Sequence, residues 1–93
     1  MIQTFADKYT AAIFEGLEVR KLQKAIQGIA RRKMKLIDAA VSVNDLRVPP
    51  GNRLESLKGN RAGQWSVRIN DQWRICFKWK GGEAWEVEIA DYH

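Results

Sequence analysis

Gln64-Trp65-Ser66-Val67-Arg68-Ile69-Asn70-Asp71-Gln72-Trp73-Arg74-Ile75-Cys76-Phe77-Lys78-Trp79-Lys80-Gly81-Gly82-Glu83-Ala84-Trp85-Glu86-Val87-Glu88-Ile89 is the stretch that decides the fold. Large apolar residues hold every second position in three runs: Trp65, Val67 and Ile69; Trp73, Ile75, Phe77 and Trp79; Trp85, Val87 and Ile89. A period of two places a whole run on one side of a strand, so three strands are expected, each with one buried and one solvated face. All four Trp are thereby assigned to the core.

Parity then sets the register. A two-residue loop at Gly81-Gly82 would bring Phe77 opposite Glu86 and mismatch the faces. A three-residue loop, Gly81 to Glu83, pairs Trp79 with Trp85, Phe77 with Val87 and Ile75 with Ile89. It also sets Lys78 against Glu86. For the earlier hairpin the same test selects a loop of Asn70 to Gln72, which places Arg68 directly opposite Arg74 on the solvated face. Like charges in that position repel. They call for nearby carboxylates or for work on an anion. Gln64, Ser66, Cys76 and Lys78 share that face.

Upstream the period changes to 3.6. Asp7 is an expected N-cap for a first helix to about Glu15, with Gly16 as its stop. A second helix is expected from about Glu18 to Ala40, because Val19, Leu22, Ile26, Ile29, Leu36, Ile37 and Ala40 form one apolar stripe. Ser42 to Leu46 reads as a short helical turn, and Pro49-Pro50-Gly51-Asn52 breaks any helix. Arg53 to Leu57 is expected to add a strand. Met1 to Phe5 reads as an edge strand or a docked tail. The result is an α+β fold: one domain over residues 1–93, N-terminal helices packed on a small, mainly antiparallel sheet.

Ninety-three residues with 45% hydrophobic content suit one compact domain and argue against disorder. No apolar run approaches the roughly 20 residues of a membrane helix, and the first residues lack a signal peptide's basic start and apolar stretch. A single cysteine, Cys76, has no partner for an intrachain disulfide. A cytoplasmic protein without membrane attachment is expected.

Lys and Arg number 16 against 11 Asp and Glu. Residues 20–35 carry Arg20, Lys21, Lys24, Arg31, Arg32, Lys33 and Lys35 without one acid. Such a face is either a solubilising surface or a docking surface for a polyanion. No metal-ligand spacing, phosphate loop or dinucleotide fingerprint is present, so no cofactor is expected. Cys76 lies mid-strand with no His near it in sequence and reads as a small strand residue. The terminal Asp91-Tyr92-His93 groups a carboxylate, a phenol and an imidazole. It reads as a set of proton-transfer groups or as a polar tail. Arg68 and Arg74 read as phosphate binders or as part of an ordinary solvated face.

Arg53-Leu54-Glu55-Ser56-Leu57-Lys58-Gly59-Asn60-Arg61-Ala62-Gly63-Gln64-Trp65-Ser66-Val67, then Trp73-Arg74-Ile75-Cys76-Phe77 and the final Asp91-Tyr92-His93, resemble the HigB branch of the RelE superfamily, toxins of bacterial toxin–antitoxin pairs. Met1 to Phe5 and Phe14-Glu15-Gly16 also fit. The specificity lies in the ordered combination of Leu-Lys-Gly, Trp-Arg-Ile-x-Phe and Asp-Tyr-His. The resemblance implies a metal-independent endoribonuclease that cuts mRNA in the ribosomal A site. The 2′-OH would attack the adjacent phosphate, leaving a 2′,3′-cyclic phosphate and a 5′-OH.

Carried onto this chain, it implies that Arg74 and Lys58 steady the phosphate and that Asp91, Tyr92 and His93 support the chemistry, His93 as an acid or base. Where some relatives carry a His before the Leu-Lys-Gly segment, Glu55 stands here, a carboxylate able to serve as base. Arg61 and Arg68 would hold RNA backbone. Lys21, Lys24, Arg31, Arg32 and Lys35 would dock on ribosomal RNA. The implied partners are the 70S ribosome with its mRNA and a HigA-like helix-turn-helix antitoxin, operator DNA being reached only through the antitoxin. Two alternatives from other classes are a ParE-like gyrase inhibitor and a non-catalytic ribosome- or RNA-binding module.

Overall fold

The computed structural model describes residues 1–91. In chain order it contains α1 (Lys8–Phe14), α2 (Lys24–Ala39), β1 (Glu55–Ser56), β2 (Gln64–Arg68), β3 (Trp73–Lys80) and β4 (Glu83–Asp91). The four strands form one antiparallel sheet in the order β1-β2-β3-β4. Both helices cover one face of it, enclosing Ile13, Ala30, Met34, Ile37, Val67, Ile75, Phe77, Ala84 and Val87 in one cluster.

The first helix begins as expected: the Asp7 carboxylate accepts from the Thr10 amide at 2.7 Å. The chain leaves it through Gly16, whose φ of 89° a glycine adopts without steric cost. The second helix starts six residues later than the stripe predicted, at Lys24. Gln27 is the reason. Its side chain donates to the carbonyls of Val19 (2.7 Å) and Leu22 (2.5 Å) and accepts from the Val19 amide (3.1 Å). These bonds satisfy the backbone of a loop instead of a helical turn, and Val19 and Leu22 still pack against the core from it. Leu36, assigned to the apolar stripe, is 42% exposed.

After α2, Ser42 and Asp45 form a reciprocal capping box on a 3-10 turn over Val43–Arg47. α2 ends at Ala39, ten residues before the Pro-Pro-Gly-Asn stretch, which itself closes a 3-10 turn, Pro50–Asn52. The strand expected over Arg53 to Leu57 shrinks to two residues, Glu55 and Ser56, paired with Ser66 and Trp65.

Arg68 does lie opposite Arg74, with Val67 facing Ile75. The second hairpin differs from expectation. Its loop is the two-residue Gly81-Gly82, both at positive φ, so Lys80 pairs with Glu83, Trp79 with Ala84 and Lys78 with Trp85. A bulge between Cys76 and Lys78 then shifts the register and restores Ile75 opposite Ile89. Glu86 takes up the extra residue at φ 53°. Trp85 therefore leaves the core face and lies beside Lys80, whose ammonium is 5.4 Å from its ring. The expected Lys78–Glu86 pair forms all the same, at 2.7 Å.

The N-terminal residues dock as a parallel edge. Ile2 and Phe5 bridge to Ala84 and Val87, and the Thr4 hydroxyl accepts from the amide of Glu86 at the bulge, at 2.8 Å. That contact helps fix the bulge from outside the hairpin. No helix among the described residues is long and apolar enough to cross a membrane.

Candidate active site

The face of the sheet turned away from the helices is partly covered, Ser66, Arg74 and Cys76 being buried while Lys78 and Glu86 stay exposed. The segment from Arg53 to Gly63 folds across it, and Leu57, Cys76 and Ala90 form a small buried cluster there. This covering changes the setting of Arg74. The position expected on a solvated face is only 7% exposed.

A buried guanidinium needs its donors satisfied. Arg74 Nε donates to Ser66 Oγ at 2.7 Å, and Nη2 donates to the carbonyl of Arg53 at 2.6 Å. Glu55 Oε1 lies 3.7 Å from Nη2, and the Glu55 side chain is half exposed. A fixed cation and an accessible carboxylate thus share one end of the sheet. The like-charge opposition of Arg68 and Arg74 is relieved from both sides, since Arg68 forms an ion pair with Asp71.

Asp91 ends β4 opposite Trp73, next to the Arg74–Ala90 pair, and accepts from Gln72 Nε2 at 3.2 Å. Tyr92 and His93 lie outside the described residues. Lys58 is exposed and immediately precedes the 3-10 turn Gly59–Arg61. Arg61 reaches over the face to Glu88 at 3.1 Å and to Gln64 at 3.0 Å. Cys76 is buried with Leu57 and Ala90. Burial pushes its thiol above the ordinary value, against the opposing pull of Arg61 and Arg74. Among the described residues no three His, Cys, Asp or Glu side chains are grouped to hold a metal.

The basic residues assigned to the second helix separate. Lys21 lies in the preceding loop, 4.5 Å from the Tyr9 ring, and Lys24 pairs with Glu18 at 3.1 Å. Arg31, Arg32 and Lys35 line a shallow depression on the outer side of α2. Arg31 Nε donates to the Phe14 carbonyl and Lys35 lies over the Phe14 ring, so two of these three are steered by α1.

One contributor escaped the sequence reading, the Arg53 carbonyl, and Ser66, which parity places on the Arg74 face, proves to be a hydrogen-bond partner of its guanidinium. A backbone carbonyl carries no sequence signal. A cleft of about 400 Å³ between α1 and the sheet, bordered by Tyr9, Ile13 and Trp73, opens on the opposite face from Arg74.

Two helices on one side of a four-stranded antiparallel sheet, with the loops folded over the other, define a RelE-like toxin fold. The toxin–antitoxin complex YoeB–YefM from Staphylococcus aureus is a solved example: it aligns with a TM-score of 0.63 at 18% identity, covering 100% of this chain and 98% of that one. Sequence comparison is more specific. Residues 3–93 match the HigB-like toxin family, described as the RelE-like toxin of type II toxin–antitoxin system HigB. Toxin HigB-1 of Vibrio cholerae is 40% identical over 85 residues, 90% of each chain. Endoribonuclease HigB of Proteus vulgaris is 32% identical across 100% of each. The chain belongs to the HigB-like toxin family of type II toxin–antitoxin systems.

Proposed function

We propose that the protein is a ribosome-dependent endoribonuclease, acting as one domain over residues 1–93, that cuts mRNA in the A site without a metal or other cofactor. The observation that carries this reading is the Arg74–Glu55 pair: a guanidinium fixed by hydrogen bonds to Ser66 and Arg53, beside an accessible carboxylate at 3.7 Å. It is supported by the name of the Proteus relative, an endoribonuclease.

In this mechanism Glu55 takes the proton of the 2′-OH as its oxygen bonds to phosphorus. Arg74 and Lys58 hold the phosphoryl oxygens and the charge that grows on them. The P–O5′ bond breaks, and a proton from the Asp91-Tyr92-His93 group, with His93 as donor, reaches the leaving oxygen. The products are a 2′,3′-cyclic phosphate and a 5′-OH. Arg61 and Arg68 hold backbone on either side, and the ribosome supplies alignment of the RNA. Lys21, Lys24, Arg31, Arg32 and Lys35 meet ribosomal RNA through charge alone. The protein acts in the cytoplasm. A HigA-like helix-turn-helix antitoxin neutralises it and carries the pair to operator DNA.

The test is substitution with a separate measure of binding. Glu55→Gln and His93→Ala should each slow cleavage of ribosome-bound mRNA by about 100-fold or more, while co-sedimentation with 70S ribosomes stays unchanged. Growth arrest that survives both substitutions would point to a binding poison instead of a nuclease.

A further inference from the structure

Trp85 is the tryptophan that periodicity misplaced. Trp65, Trp73 and Trp79 pack against the core beneath the helices, and Trp85 does not. It pairs instead with Lys78, which shares the side of β3 taken by Arg74 and Cys76. Lys78 lies four residues along β3 from Arg74, about 13 Å. The indole therefore belongs to the face that carries the Arg74–Glu55 pair, toward its far end.

The ring is half-buried, and the Lys80 ammonium lies 5.4 Å from its centroid, within reach of the π-face. Lys80 is exposed, so this contact restrains a long side chain at the surface and gives way at little cost to a better partner. The carboxylates that flank Trp85 in sequence are engaged: Glu86 pairs with Lys78 at 2.7 Å, and Glu83 accepts from Gln3. A separate observation concerns the other end of the indole. Its N–H is buried and meets no acceptor, the one buried side-chain polar atom among the described residues left without a partner. A buried tryptophan N–H ordinarily has one.

An aromatic face, an adjacent cation and an unmet donor are together what a nucleotide answers. Its base stacks on the ring, and its sugar and phosphate oxygens accept from the ammonium and the indole N–H. An apolar ligand would satisfy the ring alone, and a small anion the lysine alone. We propose that Trp85 and Lys80 form a stacking seat for one base of the single-stranded mRNA, a few nucleotides from the scissile phosphate. The seat rests on the reading of the protein as a ribonuclease and deepens it: the strand is held at its phosphate by Arg74 and at a base by Trp85. Stacking reads no base edge, so the seat adds grip without sequence preference. The competing reading is architectural, with the ring serving only to steady the β3–β4 hairpin under Lys80.

Photocrosslinking of the wild-type protein separates the two. Defined mRNAs in programmed 70S ribosomes carry a 2′-deoxy sugar at the cut, which removes the attacking hydroxyl, and 5-iodouridine at one position at a time. Irradiation should join Trp85 to the iodouridine at one position, identified by mass spectrometry of the peptides. Protein that co-sediments with these ribosomes and never cross-links through Trp85 overturns the seat. Abasic scanning of cleavable mRNA gives a second readout. Wild type should be slowed about tenfold by a missing base at the cross-linked position. Trp85→Leu should cut intact mRNA slower by a similar factor and lose nothing further there, whereas Trp85→Phe should stay sensitive. Trp85→Leu that keeps the wild-type response to the missing base overturns the seat; should that variant fail to fold, the wild-type cross-link decides. Wild type that cross-links through Trp85 yet cuts no RNA would overturn the nuclease reading and leave the seat standing, and wild type that does neither overturns both.

Discussion

The guanidinium of Arg74 donates to the main-chain carbonyl of Arg53 at 2.6 Å, so the residue proposed to hold the scissile phosphate is also part of the scaffold. The Arg53 backbone turns through φ 44° to present that carbonyl. Truncating Arg74 would orphan it together with the Ser66 hydroxyl. Arg74→Ala is therefore expected to lose about 2–4 kcal/mol of stability in urea unfolding, whereas Arg68→Ala, on an exposed pair, should lose under about 1 kcal/mol. Sequence parity alone would have made the two arginines equivalent.

The bulge at Glu86 yields a second prediction. A left-handed φ suits glycine and penalises a β-branched residue most. Glu86→Val should lower the thermal midpoint by several degrees and Glu86→Gly should not. The hydrogen bond and charge of Lys78 hold the Glu86 carboxyl below the ordinary carboxylate range. A depressed carboxyl stabilises above its unfolded value, and the contribution is lost as pH falls through the folded one. The difference between wild type and Glu86→Gln should thus vanish in melts run well below pH ~4.

Gln27 replaces a helical turn with a loop by serving three backbone groups at once. Gln27→Ala leaves them without partners in a part-buried site. A loss of about 2 kcal/mol is expected, with faster hydrogen exchange confined first to Val19 and its neighbours. Uniform exchange across α2 would contradict this local role.

Cys76 is fully buried, and burial raises its thiol. In native protein it should resist a thiol reagent such as DTNB at neutral pH and react once the chain is unfolded. Since the native state holds the proton more tightly, stability should be indifferent to this group at neutral pH and fall as pH rises above the ordinary thiol value of about 8.5.

Much of the fold could be read from periodicity because period two and period 3.6 are each enforced by burial on one side. Asp7 and Gly16 were readable as cap and stop because their chemistry acts within a few residues. The misreadings share a cause. Parity requires that the faces of β3 and β4 match, and it is satisfied either by a longer loop or by a bulge; Gly81 and Gly82 at positive φ, with Thr4 holding Glu86, select the bulge. Helix length was misjudged because Val19 and Leu22 keep their burial in a loop that Gln27 sustains from a distance. In the site, Glu55 and Arg74 were singled out but their mutual contact was not. It depends on the Arg53–Gly63 segment folding over the sheet, a long-range event with no local signature.

The most direct measurement is cleavage of a defined mRNA, free and in a programmed bacterial 70S ribosome, without added metal and with the new ends analysed. Cutting is expected only on the ribosome, within the A-site codon, leaving a 2′,3′-cyclic phosphate and a 5′-OH. Folded protein that arrests growth yet cuts neither RNA would contradict the assignment of this chain as a ribosome-dependent nuclease.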